Sequence, residues 1–109
     1  MESKDAVEAL AALAQTSRLE VYRLLVQAGP EGIAASEIAE KLQIPANTLS
    51  FHLKNLNHAD LVRSRQEGRF VYYSANYEQM NALLGFLTEN CCGGRSCTPL
   101  PVPRKRGTS

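Results

Sequence analysis

The hydrophobic pattern of the chain changes its period near residue 60 and changes back near Asn76, and these two changes limit the folds that are open to it. Four segments before that point repeat apolar residues at three- and four-residue intervals, as amphipathic helices do. Two short runs, LVRSRQ and RFVYYSA, then flank Glu67-Gly68, which predicts a β-hairpin. A fifth helical pattern starts near Asn76 and runs to Cys91, where Gly93-Gly94 is expected to end it. The chain is therefore predicted to be mostly α-helical, with one small hairpin before its last helix.

The ends of the first four helices are predicted from residues that commonly cap, open or stop a helix. Ser3, Ser17 together with Glu20, and Ser36 are expected at the N-termini of the first three. Gly29-Pro30 is expected to stop the second helix, and Pro45 to open the fourth. The apolar stripes of the four helices contain, in chain order, Val7, Leu10, Ala11, Ala14, Val21, Leu24, Leu25, Ala28, Ile38, Ala39, Leu42, Leu49, Leu53 and Leu56.

The third and fourth predicted helices are short, and a tight turn at Gln43-Ile44-Pro45 joins them. Two such helices followed by a hairpin predict a winged helix-turn-helix, in the order α-α-α-α-β-β-α. The first and fifth helices flank this unit and have little left to cover in so small a domain, so we expect them to form a homodimer. Residues 1–92 are the predicted winged-helix and dimerisation domain, and residues 93–109 are a predicted flexible tail that carries Cys97.

The composition of the chain indicates where in the cell the protein is located and which class of partner it binds. A chain of 109 residues fits one small domain. It has no apolar run near the roughly 18 residues of a membrane span, and its charged start is unlike a signal peptide. We therefore expect a cytoplasmic protein with no membrane partner and with reduced thiols. The formal net charge is only +1, but residues 54–69 carry four basic side chains against two acidic ones, so the case for a nucleic acid partner is local.

The fourth predicted helix, PANTLSFHLKNLNHAD, has the residue types that suit a DNA-reading helix. The side chains opposite its inward leucines, or flanking those positions, are Asn47, Thr48, Ser50, Phe51 and Lys54. Asparagine can bridge adenine, serine can contact bases or phosphates, phenylalanine can touch a thymine methyl group, and lysine suits a phosphate. Most polar helix faces meet only water, but the tight turn before this helix and the basic hairpin after it favour contact with double-stranded DNA.

The hairpin adds three arginines, Arg63, Arg65 and Arg69, which are predicted to reach the adjacent DNA backbone or minor groove. Strand alternation places Arg63 and Arg65 on the same face of the hairpin. Two histidines lie in the fourth helix. His52 is at the edge of the apolar stripe, where packing is a more common role than metal binding, and His58 is expected to be exposed.

Three segments, ALAQTSRLEVYRLL, LSFHLKNLNHADLV and RQEGRFVYYSAN, together resemble the arsenic-repressor (ArsR-type) family of winged-helix transcriptional repressors. The resemblance covers roughly residues 7–92. It implies a homodimer that binds a palindromic operator and releases it when an inducer binds, with Asn47, Thr48, Ser50 and Phe51 at the DNA contact positions. Asp60 stands where the family usually has glycine, and aspartate tolerates the left-handed backbone conformation better than most residues.

All three cysteines, Cys91, Cys92 and Cys97, lie in the segment ENCCGGRSC after the last helical pattern. One inducer site common in the family is a Cys-x-Cys pair near the third helix, and AASEIAEKLQI has no cysteine there. Another uses histidine on the fifth helix, and NYEQMNALLGFLTEN has none. The chain instead resembles the family's arsenite sensors with a C-terminal cysteine cluster, which implies that Cys91, Cys92 and Cys97 are the metalloid ligands.

Thiol chemistry independently favours As(III) or Sb(III) as the inducer, with no organic cofactor. Thiolates are soft ligands, and three of them can replace the three hydroxyls of arsenite. Structural zinc usually takes four protein ligands, so a cadmium or zinc site would need Glu89 or water in addition. The alternatives are redox sensing, with Cys91 or Cys92 pairing with Cys97, and a repressor of the same fold that responds to cadmium, zinc or lead. An enzyme is disfavoured because the chain has no Cys-x-x-Cys motif and both histidines lie in the fourth helix.

Overall fold

A computed structural model of the protein describes residues 1–94, so Cys97 and nearly all of the predicted tail lie outside the described residues. Within these residues, five α-helices and three β-strands follow one another. Their bounds are α1 Ser3–Leu13, α2 Thr16–Ala28, β1 Ile33–Ala34, α3 Ala35–Leu42, α4 Ala46–His58, β2 Val62–Glu67, β3 Phe70–Ala75 and α5 Tyr77–Leu87, followed by a short 3₁₀ turn, Cys91–Gly94. This order confirms the predicted winged helix-turn-helix.

The core lies where α2, α3 and α4 meet the sheet. The largest side chains that are completely buried there are Leu25, Ile38, Leu49, Leu56, Leu61, Val21 and Val62. The inward faces predicted for α3 and α4 are thus confirmed, and in α2 the prediction holds for Val21 and Leu25 but is wrong for Ala28, which is exposed. The inward face predicted for α1 is wrong, because its buried residues are Ala6 and Ala9. The predicted residues are all exposed: Val7, Leu10, Ala11 and Ala14. Small alanines allow α1 to lie close to its neighbours and leave its larger apolar side chains outside the core.

The sheet has three antiparallel strands in the order β1-β3-β2, one strand more than the sequence pattern predicts. The hairpin itself is as expected, with β2 and β3 paired from Val62 opposite Ala75 to Glu67 opposite Phe70. The additional strand, β1, has only two residues, and Ile33 lies opposite Tyr73 of β3. A two-residue strand has no alternating pattern of its own, because its extended form is defined by pairing with a distant partner.

Three predicted helix caps are wrong by one or two positions. Helix α1 begins after Glu2, whose N–H donates to the Asp5 carboxylate at 3.1 Å. Helix α2 begins after Gln15, whose side-chain oxygen accepts from the Arg18 N–H at 2.8 Å. Helix α3 begins after Ala34, with no side-chain cap, because β1 fixes the backbone at this point. Ser3, Ser17 and Ser36 therefore lie inside the helices that they were predicted to cap.

The fifth helix ends at Leu87, four residues before the predicted end at Cys91. The Thr88 hydroxyl bonds back to the Leu84 carbonyl oxygen at 2.8 Å, and Asn90 adopts a left-handed conformation with φ 58°. A left-handed residue interrupts the helical path. The prediction that Gly93-Gly94 stops the helix is therefore wrong, and Cys91 lies beyond α5 rather than on it.

The junction between α4 and β2 depends on Asp60, which has a φ of 64°. This confirms the expectation that aspartate replaces glycine here in a left-handed conformation. Asn76, which is buried, donates its side-chain amide to the Asp60 carbonyl oxygen at 2.9 Å, and its own N–H donates to the Leu61 carbonyl oxygen at 2.9 Å. These bonds fix the direction in which the hairpin leaves the fourth helix.

Candidate DNA-binding interface and cysteine turn

The turn between α3 and α4 sets the position of the candidate recognition helix. Gln43 ends α3 in a left-handed conformation with φ 55°, and the Ile44 N–H bonds to the Ala39 carbonyl oxygen at 3.0 Å. Helix α4 then begins after Pro45, whose missing N–H is not needed at that position. Because Leu49, Leu53 and Leu56 are buried against α2 and α3, the opposite side of α4 is held toward solvent.

All five residues predicted to read DNA from α4 are exposed: Asn47, Thr48, Ser50, Phe51 and Lys54. The Asn47 side-chain oxygen accepts from the Thr48 N–H at 3.0 Å, which leaves the amide N–H₂ donors facing solvent. Phe51 is 61% exposed, although burying a phenylalanine is worth roughly 2–3 kcal/mol. The described residues thus bring polar groups and one uncovered aromatic ring onto one face of the helix.

His52 takes the packing role that was expected of it. It is buried on the inner side of α4, its ring lies 6.1 Å from that of Phe51, and its Nδ1 has no hydrogen-bond partner among the described residues. Burial lowers the pKa of His52 below its usual 6.5, and the Arg18 guanidinium lowers it further. The His52 ring is therefore neutral at pH 7. The other histidine of this helix, His58, is exposed as predicted.

Acidification is expected to destabilise the fold through His52. The folded state binds the His52 proton less readily than the unfolded chain, so the free energy of unfolding falls as pH drops through 6.5 toward the lowered pKa. Urea unfolding at pH 7.5 and pH 5.5 measures this loss. His52→Gln should remove most of it, whereas His58→Gln should retain it. Equal pH dependence in the wild type and in His52→Gln would contradict this assignment.

The arginines of the hairpin differ in their contacts within the chain. Arg63 donates to the Glu78 carboxylate at 2.9 Å. Arg65 donates to Glu67 at 3.1 Å and to the Glu31 carbonyl oxygen at 3.2 Å. These two arginines are therefore partly neutralised before any DNA is present. The Arg65–Glu67 pair could be predicted from the sequence, because residues two apart on a strand lie on the same face. The contact between Arg63 and Glu78 of α5 could not, because no local pattern in the sequence indicates it.

Arg69 lies between the two strands of the hairpin and forms no hydrogen bond or ion pair within residues 1–94. Arg65 also places its guanidinium over the ring of Tyr72, 5.0 Å from the ring centroid. Exposed ion pairs such as Arg63–Glu78 are worth about 0–1 kcal/mol, so these arginines can exchange their carboxylate partners for phosphates at little cost.

The first two cysteines lie in the turn Cys91–Gly94, which we call the cysteine turn. Cys91 is a free, exposed thiol, and Cys92 is disulfide-bonded. Cys92 and Gly93 both have left-handed backbones, with φ 56° and φ 68°. Within residues 1–94 no group of three or more His, Cys, Asp or Glu side chains is placed to hold a metal ion, and Cys97 lies outside that range.

The fold and the exposed face of α4 define a winged helix-turn-helix DNA-binding protein. Residues 13–65 match the family model described as a helix-turn-helix domain. Over 81 residues the chain is 36% identical to the arsenical resistance operon repressor of Bacillus subtilis (strain 168), covering 74% of this chain and 73% of that protein. The chain belongs to the ArsR family of transcriptional regulators, and its matched relatives are regulators rather than enzymes.

Solved structures agree with this assignment. An ArsR-like transcriptional regulator from Rhodococcus sp. RHA1 superposes with a TM-score of 0.67 at 26% identity, covering 77% of this chain and 76% of that one. Reduced HlyU from Vibrio cholerae N16961 superposes with a TM-score of 0.64 at 27% identity, covering 83% and 92% of the two chains.

In the described part of the chain, no helix has the length and apolar character needed to cross a membrane.

Proposed function

We propose that the protein is a repressor that binds operator DNA as a homodimer and releases it when As(III) or Sb(III) binds the thiolates of Cys91, Cys92 and Cys97. The observation that carries this proposal is the position of the first two cysteines, which lie in an exposed irregular turn directly beyond α5. The similarity to an arsenical resistance operon repressor supports the same inducer class. DNA contacts are assigned to Asn47, Thr48, Ser50, Phe51, Lys54, Arg63, Arg65 and Arg69.

The backbone of the cysteine turn suits a three-thiolate centre. On an α-helix, adjacent side chains diverge by about 100°, and a helical turn would have to unwind before both reached one atom. Cys91 and Cys92 are not on α5, and the left-handed backbone at Cys92 already departs from the helical path. Both thiols can therefore approach one arsenic without disturbing α5, provided that Cys92 is reduced.

Exposed apolar side chains support dimerisation through the first and last helices. Leu84 and Leu87 of α5 are 53% and 54% exposed, and Val7 and Leu10 of α1 are also exposed. Helices α1 and α5 contact each other, so both helices can contribute to one interface. Leaving several large apolar residues in water is unfavourable, and a second copy of the chain would cover them.

The dimer also gives a route from the inducer to DNA. A dimer must hold its two recognition helices about 34 Å apart to enter successive major grooves. The cysteine turn starts four residues after Leu87, at the edge of the proposed interface. Arsenic binding would reshape that end of the interface and change the spacing of the two α4 helices. A coupling of roughly 1–3 kcal/mol, or about 5- to 150-fold in affinity, is typical of such a mechanism.

Leu84→Glu is expected to weaken dimerisation by about 100-fold or more, because the interface would bury an unpaired carboxylate from each subunit. Sedimentation velocity over a concentration series measures this change. Leu19→Glu is the matched control, since Leu19 is 44% exposed and lies on α2 rather than on α1 or α5. Dissociation by Leu19→Glu, with Leu84→Glu still dimeric, would place the interface elsewhere.

Counting thiols tests the ligand set itself. The reduced protein, kept in a phosphine reductant because a dithiol would compete for arsenite, is titrated with arsenite and its free thiols are measured. Loss of about three thiols per arsenic bound is expected for a three-thiolate centre. Loss of two thiols, or none, would contradict the assignment of Cys91, Cys92 and Cys97 as joint ligands.

The disulfide at Cys92 favours a second candidate function, thiol redox sensing on the same fold. In that case an oxidant would form the disulfide and the DNA affinity would differ between the two redox states. One experiment, in which release of operator DNA is measured after each compound is added, separates these candidates. DNA release by peroxide that a dithiol reverses, with no release by arsenite, supports redox sensing. DNA release by cadmium, zinc or lead alone supports a third candidate, a divalent metal sensor.

A further inference from the structure

The hairpin β2–β3, which we call the wing, carries an aromatic ring at its tip that the fold does not cover. Phe70 is the first residue of β3 and lies opposite Glu67, the last residue of β2. Its side chain is 54% exposed. Strand β1 reaches only Tyr72 and Tyr73 of β3, so the end of the wing projects beyond the three-stranded part of the sheet.

Tyr72, the next aromatic residue on the same face of the wing, differs from Phe70 because another side chain covers its ring. Tyr72 lies under the guanidinium of Arg65, which is directly opposite it in the strand register. Phe70 forms no comparable ring or guanidinium contact within residues 1–94. Its neighbour Arg69 also lacks a hydrogen bond or ion pair there. The wing tip thus presents an uncovered apolar ring beside an unpaired cation.

The wing tip is continuous with the face that carries the recognition helix. A hollow of about 370 Å³ is lined by Arg69, Phe70 and Val71 on one side and by Ala34, Ala35 and Ser36 on the other. A second hollow of about 230 Å³ shares Ala35 and Ser36 and extends to Ala46 and Ser50 of α4. The wing tip, the start of α3 and the start of α4 therefore form one surface.

We infer that Phe70 is a DNA-contact residue, whose ring packs against deoxyribose and base edges of the minor groove while Arg69 meets the phosphates. Apolar side chains at wing tips and arms are suited to this groove, because its walls are sugar rings and its floor is formed by base edges. The positive charge of Arg69 beside this ring is complementary to the negative charge of the DNA phosphates. The inference rests on DNA binding by the winged unit and is independent of the inducer proposed above.

An apolar contact and a phosphate contact differ in their dependence on salt. Each phosphate neutralised by a cation steepens the fall of log K with log salt, whereas an apolar contact releases no counterions. Phe70→Ala is therefore expected to weaken DNA binding about tenfold, in the range of aromatic contacts with nucleic acid, without changing the salt slope. Arg69→Ala should instead reduce the slope by about 1.

The test uses the full chain and a duplex selected from a random-sequence library by the wild-type protein. The affinity of this duplex for the wild type and for Phe70→Ala, Phe70→Leu and Arg69→Ala is measured at salt concentrations from 50 to 200 mM. Thermal unfolding of each variant checks that it is folded. Phe70→Leu should retain most of the affinity. Wild-type affinity in Phe70→Ala, or a reduced salt slope matching Arg69→Ala, would overturn the inference.

A reporter variant covers the case in which Phe70→Ala folds poorly. The chain has no tryptophan, so Phe70→Trp introduces a single fluorophore at the wing tip. Its emission should be quenched or shifted when the selected duplex is added, and Phe86→Trp on α5 should show no such change. An unchanged Phe70→Trp spectrum at saturating DNA would also overturn the inference.

Discussion

Cys92→Ser is expected to bind operator DNA with wild-type affinity and to keep it when arsenite is added. Serine preserves the size of the side chain but removes a soft ligand, and two remaining thiols hold trivalent arsenic far less well than three. Cys92 lies in the turn beyond α5, outside the core and the recognition helix, so its loss should not disturb the DNA-binding face. Arsenite should weaken wild-type binding by about 5- to 150-fold and the variant by less than about twofold.

Glu89→Gln is the matched control for this variant. Glu89 precedes the cysteine turn and is exposed, and a divalent metal would recruit it as a fourth ligand, whereas a pyramidal three-thiolate centre would not. The control should therefore respond to arsenite as the wild type does. Cys91→Ser and Cys97→Ser should behave like Cys92→Ser. Full arsenite-driven release in any of the three serine variants would show that the ligand set is wrong.

Gly32→Ala is expected to destabilise the fold by about 3 kcal/mol, among the larger effects of a single substitution. Gly32 has a φ of 82°, and a Cβ atom there would lie 2.5 Å from the Tyr73 carbonyl oxygen and 3.0 Å from its carbonyl carbon. Both atoms belong to the backbone of β3 and cannot move aside without breaking its pairing with β1. The methyl group would therefore separate β1 from the wing.

Gly68→Ala separates the effect of strain from the effect of this clash. Gly68 also has a positive φ, 62°, but a Cβ atom there would meet nothing within 4 Å. Its cost should be close to that of the left-handed conformation alone, about 1 kcal/mol. Urea unfolding of both variants measures the difference. Similar losses of stability in Gly32→Ala and Gly68→Ala would contradict the close approach of Gly32 to Tyr73.

The sequence patterns were sufficient for the features that depend on local periodicity. The leucines at positions 49, 53 and 56 define the inner side of α4, and they are buried as predicted. The alternating residues around Glu67-Gly68 define the wing. Asp60, in place of a glycine, indicates a left-handed residue, and its φ is 64°. The inner side of α4 and the wing are set by neighbours in the chain, so a short window contains their whole signal, whereas the conformation of Asp60 was expected from the resemblance to the family.

Other features depend on contacts between distant residues and could not be predicted in this way. Strand β1 exists because Ile33 pairs with Tyr73, forty residues later in the chain. The ion pair between Arg63 and Glu78 joins the wing to α5, and the exposure of Phe70 follows from how far β1 extends along β3. The end of α5 at Leu87 was missed because Cys91 and Cys92 are compatible with a helix by composition, whereas the left-handed Asn90 is visible only in the structure.

The most direct test of the proposed function is fluorescence anisotropy of labelled operator DNA bound to the reduced wild-type protein, with arsenite added stepwise. We predict that the anisotropy falls to that of free DNA as arsenite saturates the cysteines. Antimonite should act in the same way, and peroxide or cadmium should have little effect on the reduced complex. A complex that keeps its anisotropy at saturating arsenite, but loses it with peroxide or cadmium, would contradict the account.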